Sequence, residues 1–206
     1  MKSAWFFLLA VALAGVVMIS GCTSQTGAPF TPTASASTMA TPVEMTSLET
    51  LSGMALEVSD FPPGFELLFE GETMPPEEST LLSDPSYQGG YSVTVSNESS
   101  DLATGELIEQ VILVYTQPAT RERLDEVFLA NYPEFSDWSL SQLKDPGIGD
   151  ASVAYRFAYP NTTLSGYSIG FGKGDVYEIL LTMAGDDTAD YDLLEAIARK
   201  AASKVT

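Results

Sequence analysis

"YSVTVS" (Tyr91–Ser96) and "ELIEQVILVYT" (Glu106–Thr116) stand close together in the chain and read as two different kinds of strand. In the first, Tyr91, Val93 and Val95 alternate with Ser92, Thr94 and Ser96, the period of a strand with one buried face. In the second, Val111 to Tyr115 are apolar at consecutive positions, as a central strand covered on both sides requires. "DLATG" (Asp101–Gly105) between them has the composition of a hairpin connection. A sheet with an interior strand therefore lies at the centre of the fold, and something must cover each of its faces.

Outward from this pair, "FELLFEG" (Phe65–Gly71) reads as a strand entered through the Pro-Pro-Gly turn of "DFPPGF" (Asp60–Phe65), and a helical turn is expected around Pro76–Leu82. Downstream, "PATRERLDEVFLANY" carries Pro118 in a first helical turn, with Leu124, Val127, Phe128 and Asn131 at helix spacing. "VAYRFAY" puts Val153, Tyr155, Phe157 and Tyr159 on one face, and "GYSIGFG" does the same for Tyr167, Ile169 and Phe171. "KGD" then turns the chain into a further strand, "VYEILLTM". "DDTADYDLLEAIARKAASKV" (Asp186–Val205) closes the chain as a helix with Leu194, Ile197, Ala198 and Ala201 on its apolar face. The expected fold is α+β, a mostly antiparallel twisted sheet of about six strands flanked by two or three helices, in the order β-β-β-α-β-β-β-α. That order resembles the Mog1/PsbP-like arrangement.

Composition excludes much chemistry. The 206-residue chain has no histidine, one cysteine, and 28 acidic against 9 basic residues. Without histidine there is no Ser-His-Asp or Cys-His catalysis and no ordinary zinc site, which leaves Ser-Lys or carboxylate chemistry formally open. A net charge of −19 repels phosphate backbones, so nucleic acid is not an expected partner.

Residues 22–47 are nearly all Thr, Ser, Ala, Pro and Gly and cannot build a core, so they are expected as a disordered tether spanning roughly 25–30 Å as a flexible coil. Residues 48–206 are then a single globular domain, long enough to bury about two-thirds of its unfolded surface. Ahead of the tether, Lys2 precedes an apolar run from Ala4 that ends in Ser20, Gly21 and the sole cysteine, Cys22: the order of a secretory signal over residues 1–21. An uncleaved membrane helix is the alternative, at the lower limit of length for a span. Either way the rest of the chain is exported. "ISGC" (Ile19–Cys22) resembles the lipobox of bacterial and archaeal lipoproteins, which implies cleavage before Cys22 and a lipid on its thiol. Removing residues 1–21 takes away Lys2 and no acid, leaving 8 basic and 28 acidic residues, a net charge of −20.

Several motifs have mundane readings. "GFGKGD" (Gly170–Asp175) has strands on both flanks, so it is a hairpin and not a phosphate loop, with Lys173 in the turn. "DDTADYD" (Asp186–Asp192) lacks the glycine and distal glutamate of a calcium loop, and its acids suit the N-terminus of the last helix, whose far end carries Arg199, Lys200 and Lys204. "DPGIGD" (Asp145–Asp150) is a turn, with Asp145 and Asp150 as an alternative acid–base pair. No catalytic residue, metal ligand or cofactor is assigned. "SDPSYQGGY" (Ser83–Tyr91) is the expected binding loop: Tyr87, Gln88, Gly89 and Gly90 would offer aromatic contact on adaptable backbone. Asn97 (Asn-Glu-Ser) and Asn161 (Asn-Thr-Thr) fit the N-glycan acceptor pattern.

"FPPGF", "YQGGY" and "DPGIGD", behind the lipobox and the Thr-rich segment, resemble a group of archaeal surface lipoproteins of uncharacterised function. The resemblance implies a location on the outer face of the cytoplasmic membrane, a diether-type lipid at Cys22 in an archaeal host, and no catalytic residues. The expectation is a lipid-anchored extracytoplasmic binding or accessory domain without catalysis, whose partners are the membrane, through Cys22, and an unknown envelope protein or ligand. A surface hydrolase using carboxylates or a Ser-Lys pair and a structural envelope spacer are the alternatives.

Overall fold

The computed structural model describes residues 46–73, 84–97 and 105–206. The signal segment, Cys22, nearly all of the tether, the helical turn at Pro76–Leu82 and most of "DLATG" lie outside the described residues. Among the described residues seven strands form one antiparallel sheet in the spatial order β1-β2-β3-β7-β6-β5-β4. They are β1 (Glu66–Glu72), β2 (Tyr87–Ser96), β3 (Glu106–Tyr115), β4 (Ser139–Gln142), β5 (Ala151–Ala158), β6 (Ser165–Lys173) and β7 (Val176–Ala184). The helices are α1 (Leu48–Met54), α2 (Arg121–Asn131) and α3 (Tyr191–Lys204). The α+β class with a mostly antiparallel sheet is as the sequence indicates, with one strand more than the six expected. The additional strand, β4, is short and mostly exposed, and among the described residues pairs only with β5, at the sheet edge.

Register divides the side chains between two layers. On one face, Tyr91, Val93 and Val95 of β2, Ile108 and Ile112 of β3, Leu180 of β7 and Ile169 and Phe171 of β6 pack beneath α1 and α3. Leu194, Ile197, Ala198 and Ala201 of α3 are buried there, the four positions its spacing predicts. On the other face, Leu113 and Tyr115 of β3, Tyr177 and Ile179 of β7 and Val153, Tyr155 and Phe157 of β5 meet Leu124, Val127 and Phe128 of α2. β2 is expected to be buried on one face only. Ser92 and Ser96 are also buried, so its second face is covered as well.

The α2 layer approaches β6 closely because β6 presents glycine on that side. A Cβ on Gly166 would lie 2.0 Å from the Thr182 carbonyl oxygen, and one on Gly172 would lie 1.9 Å from Ala119 Cβ. These hollows admit Phe157 and the residues leading into α2. That helix starts later than the proline suggests. Thr120 is its N-cap, accepting from Arg123 N at 3.2 Å, and Pro118 precedes the helix. It stops at Asn131 because Pro133 follows and disfavours helical backbone at Tyr132. Lys173, expected in a turn, is the last residue of β6, and Gly174 (φ 62°) makes the turn into β7.

Candidate functional site

The sheet brings three tyrosines together at one end. Tyr87 opens β2, Tyr115 closes β3 and is its cross-strand partner, and Tyr177 stands near the start of β7 on the same face. The Tyr115 and Tyr177 rings meet edge to face at 4.8 Å, and Tyr87 and Tyr115 at 5.6 Å. From α2, the Arg123 guanidinium lies 5.3 Å above the Tyr115 ring centre, a cation–π distance.

Both ends of that guanidinium are occupied. Nη1 donates to Glu126 at 2.8 Å, and Nη2 pairs with Asp84. Asp84 is itself fixed, since its other oxygen accepts from Ser86 N at 2.8 Å and Ser86 Oγ at 2.6 Å. The Tyr177 hydroxyl donates to Pro118 O at 3.0 Å and that of Tyr87 to Thr73 O at 3.2 Å. The Tyr115 hydroxyl is buried and has no hydrogen-bond partner among the described residues.

Beside Arg123 and Tyr177 lies a depression of about 410 Å³ whose walls also include Asp84, Thr120, Glu122 and Glu126. Burial pushes the Tyr87 phenol up to about 12, helped by the charge of Glu72. Tyr115 is raised further, by burial and by the neighbouring phenols Tyr87 and Tyr177. The phenols are therefore neutral at physiological pH, suited to hydrogen bonding and aromatic contact and not to nucleophilic attack.

The expected binding loop is corrected by this arrangement. Tyr87, Gln88, Gly89 and Gly90 are the first residues of β2, not loop, because Tyr87 pairs with Tyr115 and Gly89 and Gly90 with Val114 and Leu113. A Cβ on Gly90 would meet Leu113 Cδ2 and the Tyr87 hydroxyl at 2.9 Å, so the glycine serves close strand packing, not adaptable backbone. Tyr87 is not among the walls of the depression and meets the cluster through its ring contact with Tyr115. Arg123, Asp84, Tyr115 and Tyr177, which build the cluster, carry no local sequence signal.

A second depression, of about 380 Å³, lies near the β5–β6 connection and is lined by Arg156, Thr162, Thr163, Ser165, Asp186 and Asp187. Arg156 pairs with Asp187 at 2.8 Å, and Ser165 Oγ donates to the same oxygen at 2.9 Å. Asp190 caps α3, accepting from Asp192 N at 2.9 Å and Leu193 N at 3.1 Å. Among the described residues no group of three or more acidic or sulfur side chains could hold a metal ion. Asp145 and Asp150 are turn residues. Asp145 accepts from Ser152 Oγ and from Gly147 N at 2.9 Å, and Asp150 accepts from Gly174 N at 2.9 Å. The two glycan-acceptor asparagines differ: Asn97 Oδ1 accepts from Glu106 N at 2.8 Å and helps to close the β2–β3 pair, whereas Asn161 is exposed in the β5–β6 connection with φ 61°.

Away from both depressions, Glu178 is wholly buried on the α3 face. Gln110 Nε2 donates to its Oε2 at 2.7 Å, while Gln110 Oε1 accepts from Leu56 N at 2.8 Å and so fixes the amide orientation. Burial drives the Glu178 carboxyl up to about 8, against the opposing effects of the Gln110 hydrogen bond and the Lys204 charge. The acid proton then belongs on Oε1, which has no partner among the described residues.

No protein-family model matches the chain, and no curated protein matches it. Among solved structures, the extracellular domain of PknH from Mycobacterium tuberculosis is similar with a TM-score of 0.55 at 10% identity, over 79% of this chain and 97% of that one. A putative uncharacterized protein from Mycobacterium smegmatis gives a TM-score of 0.42 at 12% identity, over 77% of this chain and 96% of its own. The likeness to the PknH domain is one of fold.

Proposed function

We propose that this chain is an exported, lipid-anchored binding domain on the outer face of the cytoplasmic membrane, attached through Cys22 and recognising its partner with the depression beside Arg123 and Tyr177. The observation that carries the recognition half is the Arg123 clamp: a guanidinium over an aromatic ring, held on both sides by Glu126 and Asp84. Such a group is ordered before a partner arrives, so little side-chain entropy is lost on binding. Neutral phenols and mutually paired charges suit recognition more than turnover. Anchoring rests on the lipobox-like end of the signal segment, and the extracellular origin of the PknH domain with the same fold is compatible with it.

Two variants test the halves separately. Cys22→Ser should move the chain from the membrane pellet to the soluble fraction. Arg123→Ala, in the anchored protein, should abolish crosslinking to the wild-type partner set while leaving membrane attachment intact. Continued pelleting of Cys22→Ser would sink the anchor. An unchanged crosslinked set for Arg123→Ala would sink the depression as the recognition site.

A further inference from the structure

The β1 edge of the sheet carries an unusual combination. In an otherwise well-covered sheet, Leu67, Leu68 and Phe69 are exposed by 44%, 55% and 48%, in the middle of a seven-residue strand paired on one side only among the described residues. A long apolar edge is a template for another strand. Three glutamates flank the apolar residues: Glu66 before them, and Glu70 and Glu72 after them. The pairing with β2 sets their directions: Leu67, Glu70 and Glu72 share the α3 face with Val95, Val93 and Tyr91, while Glu66 and Phe69 share the α2 face with Ser96 and Thr94. Leu68 is the extra residue of a bulge.

The charges select the occupant. A second copy would bring the same three acids to this edge, and pairing antiparallel about Gly71 would set Glu70 against Glu72 twice, like charges directly opposite one another on the α3 face, which destabilises a strand pair. A strand with cations opposite Glu66, Glu70 and Glu72 and aliphatic side chains opposite Leu67 and Phe69 would instead satisfy both kinds of residue. The net charge of −19 adds long-range attraction for such a segment and repels an acidic one. We propose that β1 is a docking edge for an extended, basic and aliphatic segment of a partner protein, which adds to the sheet as an eighth strand next to β1. No β1 residue lines the depression beside Arg123 and Tyr177.

The probe is a terminally blocked peptide, Lys-Thr-Lys-Val-Val-Lys, whose antiparallel alignment puts lysines opposite the glutamates and valines opposite Leu67 and Phe69. Its control replaces each lysine with glutamate. Hydrogen–deuterium exchange on the full chain in detergent should show the amides of residues 66–72 slowed by about tenfold or more with the basic peptide and unchanged with the acidic one. The double variant Glu66→Lys/Glu72→Lys, at two exposed positions, should reverse that preference without loss of fold. Equal protection by both peptides, or none by either, would overturn the proposal. So would protection of the same amides that grows with protein concentration in the absence of peptide, since the occupant would then be a second copy.

Discussion

The two faces of the sheet reach the same degree of burial by different means. The α2 face is aromatic: Phe128 stacks on Tyr155 at 5.2 Å and tilts against Tyr132 and Phe135 at 5.6 Å each, and Phe135 stacks on Phe157 at 4.5 Å. The α3 face is mainly aliphatic, yet it encloses the Gln110–Glu178 pair, and at its margin Lys200 and Lys204 grip Asp60 at 2.9 and 2.7 Å. The rings fitted to glycine hollows are phenylalanines and tyrosines whose phenols burial keeps neutral at physiological pH. A buried carboxyl and a clamped carboxylate do change charge, so pH should act on this molecule mainly through the α3 face.

The largest single effect is expected on the aromatic face. Phe128→Ala removes a ring only 1% exposed and should cost about 3–5 kcal/mol in urea denaturation, by the same amount at pH 5 and pH 8. A pH-dependent cost would blur the contrast between the faces.

Glu178 comes next. Its folded value near 8 stands above the ordinary 4.5, so between those limits the folded state holds a proton that the unfolded state has released. Its contribution is complete below the lower limit and is lost as pH rises through the upper one, at up to about 1.4 kcal/mol per pH unit and a few kcal/mol in all. Glu178→Gln keeps an acceptor for Gln110 and should flatten the stability–pH curve over that range. An unchanged slope would mean that another group titrates.

Asp60 supplies the opposite limb. Burial raises its pKa, but hydrogen bonds from Lys204, Lys200 and Glu57 N outweigh it and hold the carboxyl at about 2, below the ordinary 3.8. Its contribution is therefore present above the ordinary value and lost as pH falls through the folded one, on the order of 1 kcal/mol once solvent screening of the pair is allowed for. Asp60→Asn should remove that acid limb and leave the alkaline limb intact. A similarly small effect belongs beside Tyr115: Tyr87→Phe deletes one hydrogen bond to Thr73 O and should cost about 1 kcal/mol, read as a small shift in thermal midpoint.

Periodicity made most of the sheet legible. The faces of Tyr91–Val95, Val153–Phe157 and Tyr167–Phe171, and the buried stripe of α3, follow from periods of 2 and 3.6 alone. β4 escaped because "SLSQ" is short, polar and has Leu140 as its only apolar residue; pairing with β5 creates it, not propensity. Tyr87–Gly90 looked like a loop because two adjacent glycines are a turn signal, and only register shows that Gly90 lies against Leu113. The Tyr115 cluster could not be read at all, since Asp84, Arg123 and Tyr177 come together across the sheet from distant parts of the chain. Glu178 did leave a trace, as the only acid in "VYEILLTM", a strand otherwise nearly all apolar.

The proposed place of this domain at the membrane rests on export and a lipid on Cys22. Mass spectrometry of the N-terminal peptide from the membrane-bound protein addresses that premise directly. The expected result is a chain that begins at Cys22 and carries a lipid adduct on it, with residues 1–21 gone. A chain that begins at Met1 with an unmodified Cys22 would contradict it.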